Sequence, residues 1–153
     1  MSNKTIISTI CLLAVFACTN AIYAQNAPED LAKKFFTDFE TQGSAKALDN
    51  LYSTNKWMSH TGDIMRNLKS KLSELNEDFV GKYYGHERLV KKELANSFVL
   101  ISYLVKYERQ PVRFTFEFYK PNDKWITYSF QFDTEVDDEI ESAAKLFYLE
   151  LKN

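Results

Sequence analysis

His60 and His86 are the only imidazoles in the 153-residue sequence. An imidazole exchanges its proton near neutral pH without help from its surroundings, so either is a candidate general base, with a tyrosine as hydrogen-bond donor. His86 follows Gly85 and comes two residues after Tyr84, and the pair Tyr83-Tyr84 can border a cavity mouth or close it by packing. His60 sits in Ser59-His60-Thr61, ahead of a helix. No Ser-His-Asp order and no nucleophile turn surrounds either histidine, so surface or capping roles are the plainer reading. With Trp57 and Tyr103 added, the candidate ligand-binding set is Trp57, His60, Tyr83, Tyr84, His86 and Tyr103. No catalytic residue is assigned.

Other chemistries fail on spacing. Asp133, Glu135, Asp137 and Asp138 invite a calcium reading, but the sixth position from Asp133 is Asp138, where an EF-hand loop needs glycine. The twelfth is Ala144, where it needs glutamate, and helix capping with the helix dipole explains the same acids. Gly81-Lys82-Tyr83-Tyr84-Gly85 lacks phosphate-loop spacing and leads into a strand. No metal-ligand spacing and no cofactor motif appears. Both cysteines, Cys11 and Cys18, fall in the first 24 residues.

Those 24 residues read as a secretory signal peptide: Lys4, an apolar run from Ile6 to Ala17, and a small-residue exit at Ala21-Ile22-Tyr23-Ala24. Removing them from 153 leaves 129, residues 25–153, one domain's worth of chain without a thiol. Without Lys4 there are 18 basic and 21 acidic residues, which leaves no basic footprint for nucleic acid. No other segment is apolar enough to cross a bilayer. The expected location is periplasmic or extracellular. The alternative is a lipid anchor on Cys18, because Val15-Phe16-Ala17-Cys18 resembles a lipoprotein box with an ill-fitting Phe16.

The elements that must position the candidates follow from periodicity. Pro28, Glu29 and Asp30 open a helix with Leu31, Ala32, Phe35, Phe36 and Phe39 as its stripe, which ends at Gly43. Ser44 is the expected cap of a shorter helix carrying Leu48, Leu51 and Tyr52. Residues 53–61 read as a loop or very short strand. A helix after Gly62 is expected to place Ile64, Leu68, Leu72, Leu75 and Phe79 on one side. The period then shortens to two. Four strands are expected, at residues 87–95, at 98–107 as a central covered strand, and on either side of the turn Lys120-Pro121-Asn122-Asp123. The inward set of the last two is Phe114, Phe116, Phe118, Ile126, Tyr128, Phe130 and Phe132, a face that reads as core before pocket. A last helix, capped by Thr134 with Asp137, carries Ile140, Ala144, Phe147 and Leu151 and is expected to cover the free face of the sheet.

The fold class is therefore α+β: N-terminal helices packed on a curled antiparallel sheet of about four strands, with a C-terminal helix. That order, with Lys124-Trp125-Ile126 opening the fourth strand, resembles the nuclear-transport-factor-two-like superfamily, the cone fold shared with ketosteroid isomerases. The resemblance spans about residues 28 to 133. Enzymes of that family use an acid or histidine projecting into the cone, and the inward strand set here has neither. The expectation is an exported bacterial envelope protein acting as a non-enzymatic binding module for a small apolar molecule or an envelope protein. The alternative is a small cone-fold enzyme of the isomerase or dehydratase type using His60 or His86. A monomer is favoured over a homodimer.

Overall fold

The structure is a computed structural model that describes residues 27–60 and 62–150. The leader at residues 1–24, the lipid-anchor candidate Cys18 and the stripe residue Leu151 lie outside the described residues.

Helix α1 (Pro28–Gln42) has proline at its first position and two acids in its first turn, and it buries Leu31, Ala32, Phe35 and Phe36. Gly43, at φ +87°, separates it from α2 (Ser44–Tyr52) and is itself the N-cap, so Ser44 is the first helical residue and not the expected cap. The two helices are joined through Asp38. Its buried carboxylate accepts from Lys34 Nζ at 2.8 Å, Gln42 Nε2 at 2.9 Å and Asn50 Nδ2 at 2.9 Å.

Residues Lys56–His60 form a 3-10 turn where a loop or strand was expected. The next helix is interrupted. Helix α3 (Gly62–Ser73) stops, Asn76, in extended backbone, caps a single turn α4 (Glu77–Val80) by accepting from the Phe79 N–H, and Phe79 is exposed. Ile64 is exposed too, so the expected stripe reduces to Leu72, with Leu68 and Leu75 packed beside it.

Strands β1 (Tyr83–Leu94), β2 (Phe98–Tyr107), β3 (Pro111–Tyr119) and β4 (Ile126–Asp133) form a curled, open antiparallel sheet in chain order. The fold is α+β as expected. Strand β1 starts four residues before the expected boundary. Phe114, Phe116 and Phe118 are fully buried, the first two against α1, with Phe35 5.1 Å from the rings of both Phe116 and Phe130.

Strand β4 departs from strict alternation. Glu117 pairs with Ser129 but Phe118 pairs with Thr127, so Tyr128 is the extra residue of a bulge. Thr127 therefore enters the core, while Tyr128 turns to the outer face and meets Phe98 at 5.5 Å. The expected inward placement of Ile126 and Tyr128 is thereby corrected.

Helix α5 (Val136–Glu150) begins after an Asp133 carboxylate that accepts from the Glu135 N–H, which replaces the expected Thr134–Asp137 cap. Arg113 bonds both Asp133 and Glu139 and so fixes the first turn. The helix does not cover the sheet: Ile140 is 67% and Phe147 60% exposed. The physical reason is the composition beneath, because the middle of the free face presents Ser102, Thr115, Glu117, Ser129 and Gln131. An apolar stripe gains little on such a surface.

Candidate functional site

Strict alternation would send Tyr83 and His86, three residues apart, to opposite faces of β1. A bulge brings them together. Tyr83 pairs with Tyr107 and His86 with Val105, one residue more on β1 than on β2, and Gly85 absorbs the distortion at φ +107°. Both side chains consequently face the helices, beside Tyr103 of β2.

Helix α1 supplies the other half of the site. Glu29, Phe36 and Glu40 recur at seven and four residues and so share one helical face. Glu29 pairs with Lys91 at 2.5 Å, Phe36 stacks on His86 with centroids 3.5 Å apart, and Glu40 accepts from the Tyr83 hydroxyl at 2.8 Å. Tyr83 also lies 2.9 Å from His86 Nδ1. A hydroxyl has one proton to give. With the carboxylate as its acceptor, the Tyr83 oxygen must accept from Nδ1–H, which leaves Nε2 of the neutral ring as the bare acceptor. The result is a relay from His86 through Tyr83 to Glu40.

The electrostatics agree with that assignment. Burial lowers the His86 pKa, Glu40 opposes the shift and Lys106 adds to it, so the ring is neutral at pH 7. Burial and the Glu40 carboxylate both raise the Tyr83 pKa, which keeps its proton in place. Tyr107, whose ring meets Tyr83 at 5.8 Å, is pushed up to about 12 by burial. Its hydroxyl is buried with no hydrogen-bond partner among the described residues.

Of the expected set, the structure brings together Tyr83, His86 and Tyr103, the last with its ring 5.6 Å from the imidazole. It leaves out Tyr84, which points to solvent under Lys82, and Trp57, which lies exposed on the 3-10 turn beside Lys56. Both are surface aromatics apart from the His86 cluster. His60 ends the same turn, and its side chain lies outside the described residues. Glu40, Phe36 and Tyr107 were missed. The face shared by Phe36 and Glu40 was legible, but nothing in sequence joins Glu40 to Tyr83 across 43 residues.

Two clefts lie elsewhere. One of about 330 Å³ lies between α1 and α2 around Asp38, and an open groove of about 520 Å³ runs between α3, α4 and β4. Neither is lined by His86 or Tyr83. Among the described residues no group of three or more His, Cys, Asp or Glu is placed to hold a metal ion, and no helix is long and apolar enough to cross a membrane.

No protein-family model matches the chain, and neither a curated protein nor a solved structure matches it.

Proposed function

We propose that this chain is an exported bacterial envelope protein of the nuclear-transport-factor-two-like kind that acts as a non-enzymatic binding module. We place its partner, another protein, on the outside of the cone. The observation that carries this reading is the filled interior: Phe35, Phe36, Phe114, Phe116 and Phe118 are each at most 1% exposed and touch ring to ring, in the space where a cone-fold enzyme holds its substrate. Recognition then falls to the surface, where Trp57 and Tyr84 stand exposed and rigid aromatics serve as interface anchors. Photo-crosslinking residues at 57 and 84, introduced in the native host, are expected to yield a discrete protein adduct. Absence of any adduct at both positions, with a small molecule retained stoichiometrically by the purified chain, would overturn the reading. The same preparation tests export, since its N-terminus is expected at Gln25, or at an acylated Cys18 if the chain is anchored.

The relay supports a second reading, a cone-fold enzyme of the isomerase or dehydratase type with His86 as base. Phe36 covers one face of the ring, so a substrate must approach Nε2 edge-on, within roughly 3 Å of the proton transferred. Loss of a host phenotype on His86→Gln, with the protein adduct retained, favours the enzyme.

A further inference from the structure

We infer that the outer face of the sheet is a docking site for the C-terminal helix of a second copy, so that the chain forms a helix-exchanged homodimer. Two apolar surfaces of the described chain are left open. One is a row at the far end of the sheet: Leu94 pairs with Phe98, Phe98 with Tyr119 and Tyr119 with Ile126, and Tyr128 joins through its ring contact with Phe98. Leu94 is 73%, Tyr128 58% and Tyr119 39% exposed. The other is the α5 stripe of Ile140, Ala144 and Phe147.

The two cannot meet across the strands within one copy. Helix α5 leaves the sheet at Asp133, in the row opposite Arg113, and only Thr134 and Glu135 separate it from Val136. The apolar row lies seven residues back along β4, about 23 Å at ~3.3 Å per residue, whereas two residues reach about 7 Å. Folded along its own β4, the helix would lay its stripe over the polar middle of the face. A partner's helix has no such restriction. Lying across the strands, its stripe from Ile140 to Phe147 covers about 10 Å of a row that spans three strand spacings, about 14 Å.

Area and charge both favour a second copy. Leu94, Tyr119, Tyr128, Ile140 and Phe147 each leave on the order of 100 Å² open, given about 200 Å² for a large side chain. A two-fold axis uses every surface twice and gives about 1,000 Å² before alanines and lysine stems are counted, the threshold for a biological interface. Lys92, Lys120 and Lys124 border the row, and Asp137, Asp138 and Glu141 flank the stripe.

The test is light scattering on the exported chain from 10 to 100 µM, with Phe147→Asp and Tyr119→Asp made separately. Both sites are exposed, and circular dichroism checks that both variants fold. The expected result is a dimer whose dissociation constant rises at least tenfold in either variant. Mixing the two variants should restore one of the two contacts, because one offers an intact row and the other an intact helix, and so give tighter association than either variant alone. A monomer throughout the range overturns the inference. So does a dimer broken by Tyr119→Asp but not by Phe147→Asp, which is a sheet-to-sheet dimer, and so does a mixture that associates no more tightly than either variant alone.

Discussion

Tyr83 donates a hydrogen bond to Glu40 and accepts one from His86, and these two bonds tie strand β1 to helix α1. Because the folded state lowers the His86 pKa, the unfolded chain takes up that proton first as pH falls. The stabilisation is present above the ordinary histidine value of about 6.5 and is lost as pH falls through it toward the lower folded value. Thermal unfolding should therefore give a melting temperature that declines between about pH 7 and 5, a window above that in which Asp38 and Glu29 titrate. His86→Gln should flatten the decline; an unchanged slope would place its origin elsewhere. Tyr107 supplies a second check. Its buried hydroxyl has no partner among the described residues, and such a group costs about 1–3 kcal/mol. Tyr107→Phe should raise stability by about 1 kcal/mol in urea unfolding, and a loss of that size would show that the hydroxyl is bonded in solution. The histidines and tyrosines were legible as candidates from residue type alone. Their partnership was not, because it depends on one extra residue in β1 and on a helix 43 residues away.

At the scale of elements, bulges decide which residues meet. Gly85 carries the bulge in β1 with a backbone that a Cβ disfavours, although no atom stands in the way of one. Gly85→Ala should therefore cost about 1–2 kcal/mol through the backbone alone. It should also weaken the pH dependence, by separating Tyr83 from His86; retention of full stability would mean that the bulge tolerates a side chain. Strand β4 makes a parallel case. Its bulge buries Thr127, and residues around the end of α2 then satisfy the strand's open edge. Thr54 Oγ1 accepts from the Thr127 N–H at 2.9 Å, Asn55 donates to its carbonyl at 2.9 Å, and Tyr52 accepts from the Phe130 N–H at 3.0 Å. An edge paired in this way does not recruit another strand. Alternation read Phe114, Phe116 and Phe118 correctly because β3 is regular over that stretch. It failed at Ile126 and Tyr128, since a one-residue insertion inverts every side chain beyond it and leaves no mark on composition. The stripe failed at Phe79 for a related reason: the extended backbone at Asn76 interrupts the helix and its period.

For the whole molecule, the aromatic residues decide between pocket and core. Phe116 packs against Phe35, Phe36, Tyr103, Phe118 and Phe130, all within 6.1 Å between centroids, and is fully buried. Phe116→Ala should cost about 3–5 kcal/mol in urea unfolding, by transfer and cavity together, and a cost under 1 kcal/mol would mean that the ring lines open space. The α+β class and the order of elements were legible because the period changes near Gly81 and changes back near Thr134. The placement of the C-terminal helix was not, since an amphipathic stripe shows that a helix needs a partner but not which surface provides it. Native mass spectrometry of the chain, released gently from its own host, tests most directly whether the space between sheet and helices is filled and binding falls to the surface. The predicted spectrum holds the bare chain, its oligomer or a protein complex. A stoichiometric adduct of a few hundred daltons that survives in the native state and leaves on unfolding would contradict it.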